Sequence, residues 1–215
     1  MKNPSIFIIT ALIVVSCKSE NRGQANAQIL ANGRDTTITF SNAEPSKLPP
    51  GWTAETGIWT TALENSNSVL KMSENDGSDF NIAVLKSIKY VNAEIEVRVK
   101  ALRGEEDQGG GLVWRYVSSK NYYIVRLNPL EDNIRVYEVV NGKRKQLQTE
   151  DTSVKTAEWF TLKVKAEGNR MECYLNDKMI CSGIDDTFPN PGLVGFWSKA
   201  DAVSLFDDLK IRVLK

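Results

Sequence analysis

The chain has 215 residues, of which 27 are basic, 27 acidic and none histidine. Balanced charge gives no global field to draw in nucleic acid or an anionic surface, so function has to come from a local site. Without histidine, a Cys-His nucleophile and a His-containing zinc centre are excluded.

Residues 1–16 place Lys2 ahead of an apolar run, Ile6 to Val15, that is too short to span a bilayer and reads as a secretory signal. The ending Val14-Val15-Ser16-Cys17 resembles the lipobox of bacterial lipoproteins. That resemblance implies that Cys17 is lipidated and becomes the mature N-terminus, so that acyl chains hold the protein to a membrane outside the cytoplasm. Lys18, rather than Asp, after the cysteine implies the outer membrane, with the domain facing periplasm or surroundings. Residues 17–35 are polar and aperiodic and read as the lipidated, flexible tether. Residues 36–215 then form one domain, roughly 180 residues being enough to bury a single core.

Within that domain the chain reads as a succession of strands. Thr37 to Phe40 alternates, Leu48-Pro-Pro-Gly-Trp52 makes a rigid turn, and strands follow at 57–60, 69–72 and 80–85, the last two separated by a loop over 73–79. From Asn92 to Ala101 the alternation is clean: Ala93, Ile95, Val97 and Val99 point in, and Glu94, Glu96, Arg98 and Lys100 point out.

Gly109 to Leu147 is the most legible stretch. Three turn signals cut it, at Ser118–Asn121, Pro129–Asp132 and Asn141-Gly142, the last being the residue pair that a type I′ hairpin turn requires. Pairing outward from each turn sets Trp114 opposite Val125, Val125 opposite Val136, Val136 opposite Leu147, and Tyr116 opposite Tyr123. One apolar face, with Leu112, Leu127 and Ile134, then crosses four strands without a slip. The opposite face carries Arg115, Tyr122, Arg126, Arg135, Tyr137 and Gln146.

Further strands are expected at 159–166, 170–175, 178–182, 193–197 and 202–213, and no segment keeps a helical period for three turns. If Asn176, Asp177 and Lys178 form a three-residue hairpin loop, Leu175 faces Met179 and Cys173 lies opposite Cys181; with a two-residue loop the cysteines fall on opposite faces. A cross-strand disulfide and two buried free thiols both stand as readings. Short strands at this spacing make an antiparallel sandwich or barrel.

Several of these stretches resemble one family. They are Leu48-Pro-Pro-Gly-Trp52, the run from Asp107 to Tyr116, the run from Asn121 to Asp132, Asn141-Gly-Lys-Arg144, and the run from Gly195 to Asp201 followed by Phe206-Asp-Asp-Leu209. Together they look like the exported bacterial domains grouped with the 3-keto-disaccharide hydrolases. That family is similar to the concanavalin A-like lectins and glucanases and is sometimes described as glycoside hydrolase family 16-like. The resemblance implies an all-β, two-sheet antiparallel jelly-roll sandwich with a concave face that meets a sugar.

For carbohydrate binding the expected ligands are Arg115, Tyr122, Arg126, Arg135, Tyr137 and Gln146 on the open face, with Trp197 beside Gly195, and Lys199 at the rim. Three arginines on one face need an answer, either carboxylates in a structural network or an acidic or hydroxyl-rich ligand. For glycoside or keto-glycoside hydrolysis two facing carboxyl groups are needed. The Glu-x-Asp-x-x-Glu strand of true family 16 glucanases is missing; Glu94-Ile-Glu96-Val-Arg98 departs from it by ending in Arg and reads as a solvated face of cross-strand pairs. Asp201 and Asp208 are then the candidate acid–base residues. No cofactor is expected beyond a structural calcium on Asp201, Asp207 and Asp208, or on Glu105, Glu106 and Asp107. The competing expectation is a laminin-G-like structural or protein-interaction module without catalysis.

Overall fold

The computed structural model describes residues 28–32 and 35–214; the signal segment and Cys17 lie outside them. The described residues form sixteen strands and no helix. They are β1 (Gln28–Asn32), β2 (Asp35–Thr39), β3 (Trp52–Thr56), β4 (Ile58–Glu64), β5 (Asn67–Glu74), β6 (Phe80–Tyr90), β7 (Ala93–Arg103) and β8 (Gly110–Ser118), followed by β9 (Asn121–Asn128), β10 (Asn133–Val140), β11 (Lys143–Asp151), β12 (Phe160–Glu167), β13 (Arg170–Leu175), β14 (Lys178–Ile184), β15 (Gly192–Lys199) and β16 (Val203–Val213). Strand β1 lies inside the stretch that composition reads as tether and pairs along its whole length with β2. Short, polar edge strands carry too little apolar periodicity to be read from sequence.

Two antiparallel sheets make the jelly-roll sandwich. The first runs β1-β2-β16-β7-β12-β13-β14, with β5 also pairing with β16 and β4 with β5. The second runs β11-β10-β9-β8-β15-β6-β3. Between them lies the main core, in which Phe196 of the second sheet stacks on Phe206 of the first at 4.6 Å, with Trp52 against Phe196 at 4.7 Å. The outward residues of β7 meet opposite charges on their neighbours: Glu94 with Arg212, Glu96 with Lys210, Arg98 with Asp208 and Lys100 with Glu64. Glu94, Glu96 and Arg98 are therefore the solvated ladder expected, and such exposed pairs contribute little stability each.

The register of the central hairpins holds near each turn and shifts at two bulges. Val125 faces Val136 and Leu127 faces Ile134 as expected. Ser118 pairs with Asn121, but Trp114 then faces Tyr123 and Leu112 faces Val125, so β8 contains two more residues than simple pairing allows. The excess is taken up at Arg115, whose φ of 48° is left-handed. Because the slip is two residues, Leu112 and Trp114 stay on the core face; Tyr116, beyond the bulge, passes to the outer face, away from Tyr123. A second slip, between Val136 and Tyr137, sets Val136 opposite Gln148 and leaves Leu147 in the bulge.

The β13–β14 hairpin also differs from the arithmetic. Leu175 pairs with Lys178 across a two-residue Asn176-Asp177 loop, and a bulge before Tyr174 then restores Cys173 opposite Cys181. Both cysteines are free thiols, Cys173 buried in the core and Cys181 half-buried.

Candidate functional site

The outer face of the second sheet is built row by row from the pairing. One row reads Ile82, Trp197, Gly111, Arg126, Arg135 across β6, β15, β8, β9 and β10. Gly111 is required there, since a Cβ would stand 2.5 Å from the Val125 carbonyl and 2.9 Å from the Arg126 Cβ. The glycine makes room for Arg126, which lies over it. In the neighbouring row Tyr137 of β10 pairs with Gln146 of β11, and beyond it Val139 with Arg144. Tyr116, Tyr122, Tyr137 and Trp197 thus share a second apolar cluster on this face with Ile82, Val84, Val113 and Ile124.

Of the three arginines expected to converge, Arg126 and Arg135 meet at one carboxylate and Arg115 does not join them. The Arg115 bulge turns its side chain to the end of the sandwich, where Nε and Nη2 donate to the Val91 carbonyl at 3.3 and 3.1 Å, Nη1 to Phe188 at 3.1 Å and Nη2 also to Gly168. It is a buried structural clamp between loops, and burial draws its pKa below the usual arginine range. Arg126 is 1% exposed and donates to Asn133 Oδ1 at 2.6 Å and Glu131 Oε2 at 2.7 Å. Arg135 pairs with the same Glu131 oxygen at 2.7 Å. One carboxylate therefore answers both cations, the structural-network alternative. Burial pushes the Glu131 carboxyl up, and the two guanidiniums and Asn133 outweigh it and hold it below its ordinary value. Tyr122 and Trp197 are wholly buried, Gln146 is exposed on the edge strand, and Lys199 is tied to Asp107 at 3.2 Å.

What the fold gathers instead is a pocket of about 600 Å³ where the β5–β6, β7–β8 and β15–β16 loops meet the outer face. Its lining includes Asn75, Asp79, Phe80, Glu106, Arg144, Lys199 and Asp201. The Arg144 guanidinium stands 4.3 Å from the Tyr137 ring centre, 5.5 Å from Phe80 and 6.0 Å from Trp197. Among the described residues it has no hydrogen bond or ion pair. Beneath it Trp197 Nε1 faces Tyr122 Oη, both atoms buried out of reach of the pocket. Asn75 Nδ2 braces the loops by donating to the Ser78 and Ala200 carbonyls.

Asp201 and Asp208, the candidate acid–base pair, are not a pair. Asp201 caps the β7–β8 loop, accepting from the backbone N–H of Glu105 at 2.6 Å and of Glu106 and Asp107 at 3.1 Å. Burial raises its carboxyl, but those donors prevail and hold it below its ordinary value. Asp208 lies on the first sheet, bonded to Arg98 at 3.0 Å. The calcium sets do not assemble either: Asp107 serves Gly109, Asn128 and Lys199, and Asp207 accepts from Asn67. Among the described residues no cluster of three or more acidic or cysteine side chains is arranged to hold a metal ion.

Sequence reasoning missed Arg144, Phe80 and Asp79, and offered Glu106 only as a calcium ligand. Arg144 stands two residues past the Asn141-Gly142 turn, so its position was legible and its face was fixed by Val139 opposite; Phe80, Asp79 and Glu106 reach the pocket only through loop packing. Of the expected set, Lys199 and Asp201 line this pocket, and Tyr137 and Trp197 lie against Arg144 at its wall, with Tyr122 beneath.

Comparison with known proteins finds the same sandwich fold in solved structures. A carbohydrate-binding module of Bacillus subtilis, CBM66, superposes with a TM-score of 0.63 at 22% identity, covering 74% of this chain and 94% of that one. A Bacillus licheniformis beta-glucanase gives 0.57 at 10% identity, covering 86% and 100%. In sequence, the levanase of Bacillus subtilis strain 168 is 25% identical over 162 residues, which cover 74% of this chain and 22% of the levanase, so the chain spans about a fifth of that relative. The model of the 3-keto-alpha-glucoside-1,2-lyase-like domain matches residues 26–212. The chain belongs to the 3-keto-alpha-glucoside-1,2-lyase-like domain family.

Proposed function

We propose that this domain binds carbohydrate in the pocket under Arg144. The observation that carries the reading is the Arg144 guanidinium, without a hydrogen-bond or ion-pair partner among the described residues, stacked on Tyr137 beside Trp197 at the wall of the pocket. Sugars present apolar C–H faces to rings such as Phe80 and hydroxyls to side chains such as Arg144, Asp79 and Glu106, and the pocket volume falls in the range of about 300–1,000 Å³ usual for small-molecule sites. The CBM66 and levanase similarities support the same class of ligand.

Hydrolysis or elimination at a glycoside is the finer claim. Within the pocket it rests on Asp79 and Glu106, whose carboxylates make no side-chain bond among the described residues, Asp201 being occupied as a cap. The proposal also takes the chain as an exported lipoprotein anchored through Cys17, on the strength of residues 1–18; globomycin treatment that left precursor size unchanged would remove that part.

The direct test is calorimetric titration of the soluble domain with oligosaccharides from levan, β-glucan and acidic plant polysaccharides, alongside Arg144→Gln. Binding that Arg144→Gln weakens at least tenfold supports the site. Binding that Arg144→Gln leaves unchanged would place the ligand elsewhere. Turnover of any glycoside, lost in Asp79→Asn or Glu106→Gln, would add catalysis.

A further inference from the structure

Resting on the carbohydrate reading of this pocket, we infer that its sugar carries a carboxylate: the ligand class is a uronic acid or a polysaccharide built from one. The argument starts from how the other arginines are answered. Arg98, Arg126, Arg135, Arg170 and Arg212 each have a carboxylate partner, Arg115 is held by three backbone carbonyls, and Arg103 is exposed to solvent. Arg144 has neither, although it is half-buried and seated over three aromatic rings.

Stacking uses the face of the guanidinium and leaves its edge, which carries the N–H fork. That fork matches a carboxylate bidentately, whereas a neutral hydroxyl takes one donor at a time. The rings beneath also keep water from one side of the cation, so an anion at its edge interacts more strongly than at an open lysine.

The same lining sets the upper limit on charge. Asp79 and Glu106 border the pocket as exposed carboxylates. They repel a densely charged polymer such as a sulfated glycan or a nucleic acid, and they accept hydrogen bonds from sugar hydroxyls. One carboxylate with several neighbouring hydroxyls satisfies both signs. Lys199 adds no free positive charge, since Asp107 holds it at 3.2 Å.

The test is affinity electrophoresis of the soluble domain through native gels holding polygalacturonate, alginate or glucuronan, against gels holding a fructan, galactan or β-glucan, with a heparin gel as charge control. We expect retardation by an acidic polysaccharide over its neutral counterparts and over heparin. Arg144→Gln and Arg144→Lys should each weaken it about ten- to a hundredfold, the size of a charged hydrogen-bonded pair. Lys143→Gln, an exposed neighbour on the same strand, should leave it unchanged, and unaltered tryptophan fluorescence shows that each variant is folded. Retardation by neutral gels alone overturns the uronate inference and leaves the carbohydrate reading standing. Retardation by heparin as strong as by uronates, lowered equally by Lys143→Gln, reduces the effect to bulk charge and overturns the inference. No retardation by any gel overturns both.

Discussion

Arg144 of β11 stacks on Tyr137 of β10 at 4.3 Å, although the two residues are separated by the Asn141-Gly142 turn and are not paired in register. Arg144 pairs with Val139, and Tyr137 with Gln146, so the arginine leans one row along the sheet to reach the ring. A long side chain makes such diagonal contacts readily. That lean carries the cation over Trp197 and Phe80 and turns a polar edge strand into one wall of the pocket.

Trp197 is wholly buried, so its contribution to binding cannot be read from an alanine variant: Trp197→Ala should cost about 3–5 kcal/mol of stability and obscure any ligand effect. Trp197→Phe keeps a ring against Phe80, now at 5.5 Å, and loses the second ring together with Nε1. We expect the melting temperature to fall and affinity to change less than about threefold, since Trp197 lies beneath the pocket and does not line it. Calorimetric titration beside thermal melting separates the two effects.

Asp201→Asn tests a cap against a catalytic acid. The folded carboxyl titrates below its ordinary 3.8, so its stabilising contribution is present above that pH and is lost as pH falls through the lower folded value. Asp201→Asn should destabilise by about 1 kcal/mol near neutrality, in the manner of a lost cap. The gap from wild type should close as pH falls through the lowered folded value, where the native carboxyl is protonated too. Urea denaturation at several pH values gives the result, and a constant gap would contradict the cap.

Asp207 has the opposite sign. Burial, then the charge of Asp208, raises its carboxyl above 3.8, and Oδ1 has no partner. Its ionised form therefore opposes folding: the favourable contribution exists below the unfolded pKa and is lost as pH rises through the folded one. Asp207→Asn should be more stable than wild type at pH 7, by something of the order of 1 kcal/mol, and the advantage should vanish near about pH 3. An Asp207→Asn variant less stable than wild type at neutral pH would show that its charge is needed by Arg98.

Cys173 and Cys181 face one another across β13 and β14. Exposure of the folded protein to oxidised glutathione should close a disulfide, seen as the loss of two hydrogens by intact mass and of both thiols to alkylation. Closing so short a loop should add about 2.5 kcal/mol of stability if the bridge is unstrained. Two thiols that alkylate at unchanged rate after oxidation would mean that the hairpin bulge holds them apart.

Local chemistry made much of the fold legible. The alternation of β7 specified which residues enter the core, and Asn141-Gly142 and Pro129–Asp132 specified two hairpins because each turn sets the register for the residues beside it. The apolar face of Leu112, Trp114, Val125, Leu127, Ile134 and Val136 was readable for the same reason and survives the slip in β8. Bulges escaped the reading. Nothing in Arg115 itself announces a left-handed φ; that conformation follows from Gly192 packing so closely that a Cβ there would stand 2.3 Å from the Arg115 carbonyl carbon.

The site divides along the same line. Sequence by itself determined that aromatic and basic residues would share the outer face of one sheet, since period-two alternation is a local property. Which half-buried arginine stays unanswered was decided only by tertiary structure. Glu131 reaches both Arg126 and Arg135 through a turn, Arg115 finds carbonyls from loops 24 to 73 residues away, and Arg144 is left beside the Asp79 and Glu106 loops. Long side chains choose their partners by proximity in space, and that proximity is set by loops whose packing no short-range pattern encodes.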